Sequence, residues 1–288
     1  MATEVIELQY SDASLAEMFE VGRAAFGHSY NIEQLQNNWR LGDDRTTFYG
    51  IVTDGKLIAF NGFMAHAARR GDRPLVLFQS GHSATHPDHR RKGLFQKLIN
   101  HAKSSLDGDY IVGFPNDKSK PIFVEKLGFS LAAMRRVWLP CFGSRYFLNA
   151  RQYISSVRAA DMIHPDEAAL AKWKWAEHER DVFSVEEDSA IIWGRLTTRR
   201  IGITKFRVLV VGGFQAPNVD ILSSLLMRVS VDYGARFAQF IVCIDSPIVS
   251  SARISLSGDK TEPFIWFPLR ESPPSVSFAA CVGMKDAY

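Results

Sequence analysis

Residues 83–95 read Ser-Ala-Thr-His-Pro-Asp-His-Arg-Arg-Lys-Gly-Leu-Phe, and they say more about architecture than any other segment of the chain. A β-rich run ends at Pro87, cations follow, and Gly93 opens the amphipathic sequence GLFQKLINHAKSSL. The first N–H groups of a helix lack internal partners, and the helix dipole adds partial positive charge there. Such an end binds phosphate, and glycine lets a ligand approach the backbone closely.

The cations of this turn are Arg90, Arg91 and Lys92, and they add full positive charge beside the predicted helix end. The functional interpretation is that the helix amides and these side chains enclose a pyrophosphate. The alternative interpretation is a solvated basic loop, with Gly93 as a plain turn residue. The elements on either side of the turn decide between the two.

The chain before the turn predicts two helices and three antiparallel strands. Helical spacing begins after Ser14 and stops at Gly27, and a second short helix runs from Asn31 to Trp39. The dipeptide Asp54-Gly55 between two β-rich runs is a strong hairpin signal. A third strand follows the Gly-Asp-Arg-Pro turn.

The chain after the turn predicts a β-α-β unit. The amphipathic helix leads to a short buried strand that begins at Asp109. Residues 119–129 then predict a helix, with a proline in its first turn and Gly128 as its stop. The order α-α-β-β-β-α-β-α ends in a unit that should be parallel and right-handed.

The second half of the chain predicts another α/β segment after a connector near Pro140. We expect a helix from His164 to Arg180 and a second helix over residues 219–234. We also expect four strands, of which two are Lys205–Gly212 and Phe237–Ile244 and two begin at Phe264 and Ser275. The motif Trp193-Gly194-Arg195-Leu196, placed before the first of these strands, echoes Asn38-Trp39-Arg40-Leu41. The echo indicates a divergent copy of the first half, and coincidence is the alternative.

Composition excludes several classes of protein. The chain has 288 residues, 46% of them hydrophobic and 23% charged, which are ordinary globular values and suggest about two domains. The net charge of +3 gives no argument for nucleic acid. We expect no membrane span, no signal peptide and a cytoplasmic location, with Cys141, Cys243 and Cys281 as free thiols.

Two motifs in this order resemble the GNAT superfamily of acyl-CoA N-acyltransferases. Thr85-His86-Pro87 followed by Arg90-x-x-Gly93-Leu94-Phe95 resembles the acyl-CoA signature, and Gly113-Phe114-Pro115-Asn116 with the helix at Ser119 resembles a second family motif. The resemblance covers about residues 1–145. It implies a mixed α/β fold: a GNAT domain with splayed parallel strands over residues 1–145, and a degenerate GNAT-like domain over 146–288 that shapes the acceptor site.

The resemblance also implies where an acyl-CoA co-substrate binds. Its pantetheine arm would lie between the splayed strands like an added strand, and backbone amides near Ala84 or Thr85 would face the thioester carbonyl. The turn would bind the pyrophosphate, and Asn116 and Ser119 would contact the far side of the cofactor. The complete set of cofactor-binding residues that the resemblance implies is Ala84, Thr85, Arg90, Arg91, Lys92, Gly93, Leu94, Phe95, Asn116 and Ser119. No metal is implied.

Acid and base are harder to assign. The family's tyrosine position on the second helix falls at Val124, beside Phe123, and neither can donate a proton. His82 is the candidate catalytic base, although regular alternation along its strand would turn it away from Ser83 and Thr85 unless a bulge intervenes. The alternatives to His82 as the base are a water relay and a histidine outside this strand, His28 or His66. His86 is expected to have a structural role. A further alternative is a mechanism in which Cys141 is the nucleophile.

The resemblance extends to bacterial sugar N-acyltransferases, which implies a nucleotide-linked amino sugar as the acceptor. The alternatives are another small amine or a peptide amine, or a non-catalytic acyl-CoA-binding module. Trp39 with Arg40, and Trp193 with Arg195, are candidates for lining an acceptor site, with core packing as the alternative. Arg69, Arg70 and Arg73 could supply charge for a nucleotide. The sequence does not determine the oligomeric state.

Overall fold

The computed structural model describes residues 4–27, 30–40, 44–142, 145–146, 148–157, 162–175, 182–187, 189–252, 262–271 and 276–279. His28 and Cys281 lie outside these residues. Contacts divide the chain into two units, and each takes a segment from elsewhere in the sequence. The first unit comprises Met1–His66, Leu75–Leu131 and Ile265–Ser272, and the second comprises Ala67–Pro74, Ala132–Phe264 and Pro273–Tyr288. The domain boundary at residue 145 stays a prediction.

The first unit is a mixed sheet with helices. In chain order its elements are β1 (Glu4–Leu8), α1 (Asp12–Phe26), α2 (Ile32–Arg40), β2 (Thr47–Thr53), β3 (Lys56–Arg70), β4 (Arg73–Thr85), a 3₁₀ turn (Pro87–His89), α3 (Leu94–Ser105), β5 (Tyr110–Gly113) and a π-helical turn (Ile122–Lys126). The tip of the β3–β4 hairpin belongs to the second unit.

The remaining elements follow in the second half. They are β6 (Ser130–Phe142), β7 (Arg145–Tyr146), α4 (Ala150–Val157), β8 (Met162–Pro165), α5 (Glu167–Trp175), β9 (Val182–Glu187), β10 (Ala190–Ile201), β11 (Thr204–Gln215), α6 (Val219–Tyr233), β12 (Ala235–Cys243), α7 (Pro247–Ser251), β13 (Glu262–Pro268) and β14 (Ser277–Phe278). The end of β13 returns to the first unit, where it pairs antiparallel with β5.

The predicted β-α-β unit is confirmed in the first unit. β4 and β5 run parallel, and α3 connects them. Leu98, Ile99 and Ala102 of α3 have no exposed surface and join a core cluster with β2, β3 and β5. Full burial of one aliphatic side chain of this size is worth about 1.5–3 kcal/mol, so this apolar stripe holds the start of α3 in place beside the sheet.

Local turn chemistry agrees with the sequence. Asp54 and Gly55 have φ values of 52° and 75°, as the hairpin between β2 and β3 requires. Gly27 ends α1 with a φ of 72°, and the side chain of Asn31 accepts a hydrogen bond from the backbone N–H of Glu33 at the start of α2.

Three predictions in the first half are wrong in detail. Strand β1 was not expected, because its sequence Glu-Val-Ile-Glu-Leu does not alternate regularly and the strand is largely exposed. The helix expected over 119–129 is present but shorter: residues 120–126 are helical, and Gly128 follows them with a φ of 69°. Its last turn is π-helical, because the N–H of Leu127 donates to the carbonyl of Ile122. The expected connector at Pro140 is part of strand β6, which pairs with β12 in the second unit.

Two predictions in the second half also need correction. The helix expected from His164 begins at Glu167, because residues 162–165 form strand β8 beside the tip of β3; residues 176–180 lie outside the described part of the chain. Trp193 to Leu196 do not precede a strand but lie inside β10, where they pair with β9 and β11. Long-range pairing of this kind is not visible in local sequence.

The second unit has the same order of core elements as the first. β9, β10 and β11 are antiparallel neighbours, α6 follows β11, and β12 runs parallel to β11. A strand from the other half of the chain then pairs antiparallel with β12, as β13 does with β5. The expected helix over 219–234 and strand over 237–244 are thus confirmed.

The core of the second unit contains a buried carboxyl group. Oε2 of Glu167 accepts a hydrogen bond of 2.9 Å from Nε1 of fully buried Trp193. A Cβ at Gly213 would lie 1.8 Å from the same oxygen, so glycine is required to make room for it. Burial raises the pKa of Glu167 to about 8, and the hydrogen bond from Trp193 only partly opposes this. Glu167 is therefore protonated at neutral pH.

Replacing Glu167 should change how stability depends on pH. Between the pKa of about 4.5 in the unfolded chain and about 8 in the folded one, the folded state keeps a proton that the unfolded state has lost. The wild-type free energy of unfolding should thus fall across this range, by up to about 1.4 kcal/mol per pH unit from this group. Glu167→Gln should remove that part of the slope in urea unfolding measured from pH 5 to pH 8.

The matched control is Glu187→Gln, because Glu187 is exposed on β9. It should leave the pH dependence of wild type unchanged. Equal slopes for wild type and Glu167→Gln would contradict the assignment of a protonated buried carboxyl.

Candidate active site

The turn after β4 has the backbone geometry of a ligand-binding helix start. β4 ends at Thr85, the 3₁₀ turn follows, and Arg91 and Gly93 both have positive φ values, of 63° and 72°. Gly93 occupies the N-cap position of α3 with no side-chain hydrogen bond to the helix. The first backbone bond inside the helix runs from the N–H of Lys97 to the carbonyl of Gly93. The amides of Leu94 and Phe95 precede that bond and point out of the helix end.

Space and charge at this helix end both suit an anion. A Cβ built at Gly93 would have the Gln96 side chain at 3.5 Å as its nearest neighbour, so the surface above the glycine is open. The first turn of α3 carries no acidic residue. Arg91 and Lys92 are exposed, and no hydrogen bond inside the described part of the chain engages their side chains.

Arg90 has a different role from the two cations that follow it. Its Nη2 donates a 2.9 Å hydrogen bond to the carbonyl of Ala25, in the last turn of α1, and its Nε donates to the carbonyl of Thr85 at 3.4 Å. The guanidinium thus ties the turn to α1 and to the end of β4. Arg90 contributes charge to the site but is also a fixed structural link.

The parallel strands separate where the site begins. Their ladder pairs Leu77 with Tyr110 and ends at Ser80 and Gly113, while β4 continues to Thr85. β4 remains attached on its other side, where the N–H of His86 donates to the carbonyl of Ile58. The splay expected from the sequence is therefore present, and Ala84 and Thr85 lie on the part of β4 that β5 does not cover.

His82 lies on the same part of β4 in an unusual conformation. Its φ is 49°, a left-handed value that interrupts the regular alternation of the strand. The half-buried imidazole packs against the ring of Phe48, with centroids 6.3 Å apart. Trp39 packs on the same phenylalanine at 4.4 Å. The irregularity that a base at His82 required is therefore observed.

A buried polar cluster lies beside His82, and no sequence pattern predicted it. Asn61 of β3 has no exposed surface, and its side chain forms hydrogen bonds with Ser80 and Ser83 of β4. Its Nδ2 also donates to the carbonyl of Gly62. The cluster links β3 to β4 on either side of Gly81 and His82, and so supports the irregular backbone at that point.

The side chains of Asn116 and Ser119 form hydrogen bonds within the turn that both residues belong to. Oδ1 of Asn116 accepts hydrogen bonds from the N–H groups of Lys118 and Ser119, both at 3.0 Å, and Oγ of Ser119 accepts one from the N–H of Asn116 at 3.1 Å. Both residues follow β5 closely and are exposed or half-buried. Their observed contacts shape the loop after β5.

The other candidate acids and bases have structural contacts. His66 is buried and its Nε2 lies 3.1 Å from Oε1 of buried Gln79. His86 interacts with Asp88 inside the 3₁₀ turn. At the family's tyrosine position, Val124 packs against the core and Phe123 is buried in it. These positions provide no exposed proton donor on the second helical segment.

Three residues that the sequence suggested for the acceptor site or for catalysis belong to the second unit and have other contacts there. Trp193 is a core residue bonded to Glu167. Sγ of Cys141 contacts Sδ of Met227, and burial raises the pKa of the Cys141 thiol, which disfavours the nucleophilic thiolate. Arg69 is exposed at the tip of the β3–β4 hairpin and lines a cavity of the second unit.

The helix of the second unit that corresponds to α3 has a closed N-terminus. The side chain of Asn218 accepts a 2.9 Å hydrogen bond from the N–H of Ile221 in the first turn of α6, and Asp220 adds a negative charge there. The loop before it has no cation. The features that suit a diphosphate therefore occur at α3 and not at α6.

Comparisons with known proteins agree with this geometry. Residues 8–132 match the family model described as Acetyltransferase (GNAT) domain. A conserved protein of unknown function from Enterococcus faecalis, described as a probable N-acyltransferase, aligns over 94% of this chain and 73% of its own at 12% identity and a TM-score of 0.61. A GCN5-related N-acetyltransferase from Anabaena variabilis aligns over 93% and 73% at 13% identity and 0.63. Eis1 from Mycobacterium abscessus aligns over 91% and 73% at 14% identity and 0.58.

The structural matches establish a shared fold, and the family model identifies residues 8–132 as a GNAT acetyltransferase domain. No curated protein sequence matches the chain. Residues 8–132 thus carry an acyl-CoA N-acyltransferase domain, whose co-substrate is acetyl-CoA or another acyl-CoA. Within the described residues, no helix is long and apolar enough to cross a membrane, and no group of three potential metal ligands occurs.

A pair of glycine variants tests the phosphate assignment. Gly93→Glu should weaken CoA binding at least about tenfold, or about 1.4 kcal/mol, because a carboxylate would stand among amides that should hold a diphosphate. Gly128→Glu is the matched control, since Gly128 has a similar φ of 69° and nothing within 4 Å of an added Cβ. Isothermal titration calorimetry measures both. Equal losses, or no loss at Gly93, would contradict the assignment.

Proposed function

We propose that the first unit transfers an acyl group from CoA to a primary amine by direct attack in a ternary complex, with His82 as the base. The observation that carries this proposal is the left-handed backbone of His82, on the stretch of β4 that extends past the end of the β4–β5 ladder. That stretch also contains Ala84 and Thr85, whose amides are the proposed oxyanion donors. Base and oxyanion donors would therefore lie along one short segment of backbone.

The proposed cofactor position follows from the helix end. The diphosphate binds the amides from Lys92 to Phe95, with Arg91 and Lys92 as additional charges, and Arg90 holds the turn against α1. The pantetheine arm lies beside β4 where β5 has diverged, and uses main-chain groups as an added strand would. The loop shaped by Asn116 and Ser119 borders its other side.

The proposed reaction has two bond changes. The amine nitrogen attacks the thioester carbonyl carbon, a C–N bond forms, and the oxyanion accepts hydrogen bonds from the amides of Ala84 or Thr85. The C–S bond then breaks and the CoA thiolate leaves. His82 accepts the amine proton, directly or through one water molecule. The thiolate takes a proton from solvent, and a thiol pKa of about 8.5 makes departure without a protein acid feasible.

For the acceptor we propose an amino group on a nucleotide-linked sugar. A sugar amine is less basic than a lysine, so histidine or water suffices to deprotonate it, which suits the absence of a proton donor at Phe123 and Val124. The aromatic side chains beside His82 add support, because Trp39 is half-buried and packs edge-on against Tyr10 at 5.4 Å. A partly exposed aromatic surface suits the apolar face of a sugar ring.

The role of His82 is tested with His82→Asn, because asparagine tolerates a positive φ. The variant should lose at least about 100-fold in kcat/KM, the usual scale for a general base, and keep wild-type CoA affinity. In the pH profile of kcat/KM, the ionisation of the base should disappear and that of the amine should remain. Near-normal turnover with an unchanged profile would exclude His82 as the base.

The acceptor is tested by acetyl-CoA thiol release across a panel of amines. We expect kcat/KM for nucleotide-linked amino sugars to exceed that for free amino sugars, polyamines and peptide N-termini by at least about tenfold. A preference for a peptide or another small amine would contradict the sugar acceptor but not the transferase. Cofactor binding without any amine-dependent thiol release would support the alternative of a binding module.

A further inference from the structure

The second unit contains a cavity of about 510 Å³ where its own parallel strands diverge. The β11–β12 ladder ends at Val211 and Phe240, although β11 continues to Gln215. The cavity is lined by Phe214 to Pro217 at the end of β11, and by Ser246 and Pro247 after β12. The carboxyl ends of parallel strands are where open α/β sheets bind ligands, and this volume is in the range of small-molecule sites.

An unused hydroxyl group lies in the floor of this cavity. Ser246 is 1% exposed, and its Oγ has no hydrogen-bond partner within the described parts of the chain. Serine at the N-cap of a helix normally accepts a bond from the first turn, but Ser246 makes no such bond with α7. A buried hydroxyl without a partner costs about 1–3 kcal/mol, and a hydrogen-bonding group of a ligand that reached this oxygen would remove that cost.

The rim of the cavity carries one charge of each sign. Arg69 and Asp72 are exposed at the tip of the β3–β4 hairpin, and both line the cavity. His164 pairs with Arg69 across β3 and β8 and also lines it. Burial, and secondarily the charge of Arg69, lowers the pKa of His164, so the imidazole is neutral at neutral pH. The titratable side chains of the rim thus present one cation and one anion.

The floor beyond this rim is largely apolar. Met162, Phe214 and Pro247 are buried and line the cavity. The nearby hydroxyl of Tyr153 is already used, since it donates a 2.8 Å bond to the carbonyl of Ala216. The capped start of α6 offers no phosphate site beside the cavity. An acyl-CoA is therefore a poor fit, and a compact molecule with both charges and an apolar body is a good one.

We propose that this cavity binds a small zwitterion of the amino-acid class, with its carboxylate at Arg69 and its ammonium group at Asp72. The apolar part of its side chain would lie on the floor, and a hydrogen-bonding group at the end of that side chain would reach Ser246. This site is separate from the acyl-transfer site of the first unit and does not depend on the acceptor proposed there. It would give the second unit a binding function of its own.

The proposal is tested by calorimetry and thermal shift on the full chain without CoA. The probes are L-glutamine, L-asparagine and L-threonine, together with 4-aminobutanamide and 4-carbamoylbutanoate, which each lack one of the charges of glutamine. At least one amino acid should bind and raise Tm, and the single-charge analogues should bind at least about tenfold more weakly. Arg69→Gln should weaken binding at least about tenfold, and Ser246→Ala about two- to tenfold.

Matched controls are Arg199→Gln, on an exposed part of β10, and Ser250→Ala, on α7, because neither residue lines the cavity. Both should bind the amino acid as wild type does. The proposal is overturned if no amino acid binds at millimolar concentration, if a single-charge analogue binds equally well, or if Arg69→Gln retains full affinity. Normal CoA affinity in each variant separates this result from any failure of the acyl-transfer site.

Discussion

The uncapped start of α3 is the feature on which the proposed acyl-CoA site depends. Gly93 takes a left-handed conformation at the N-cap and brings no side chain to the first turn. The apolar stripe of α3 is buried in the core, so the orientation of the exposed amides is set by packing and not by the turn itself. Arg90 adds a second restraint through its bond to Ala25. A fixed set of donors binds an anion with little cost of reorganisation.

The two units show how a small change at a helix start alters what a fold can bind. Both have three antiparallel strands, a helix and a parallel strand in the same order, and in both the parallel ladder ends before its longer strand does. In the first unit the helix begins with glycine after a basic turn. In the second, the side chain of Asn218 accepts a hydrogen bond from the N–H of Ile221, and Asp220 opposes an anion. The same architecture thus has an open helix start beside a basic turn in the first unit, and a capped helix start beside a cavity in the second.

Many turns of the first unit and the position of its candidate site could be predicted from the sequence, because the residues that determine them are close together in the chain. The Asp54-Gly55 hairpin, the stop at Gly27 and the turn at Gly93 all follow from residues that tolerate positive φ. The site residues Ala84, Thr85 and Arg90 to Phe95 could be placed together for the same reason, since one strand, one turn and one helix start contain them all. Their roles as cofactor ligands remain predictions.

Local sequence patterns could not predict long-range strand pairing or irregular backbone conformations. The pairing of β6 with β12, and of β13 with β5, joins residues more than 90 positions apart in sequence. The left-handed conformation of His82 could not be predicted from its residue type alone, because it depends on neighbours such as Asn61, which bonds to Ser80 and Ser83 across the strand pair. The buried Glu167 reads as an ordinary exposed acid at a helix start until Trp193 and Gly213 are placed beside it.

The most direct test of the central claim is a crystal structure of the chain with bound CoA. The account predicts the diphosphate on the backbone amides between Lys92 and Phe95, with the pantetheine arm along β4 beyond Ser80. A diphosphate bound at the start of α6, or anywhere away from the turn at Gly93, would contradict it.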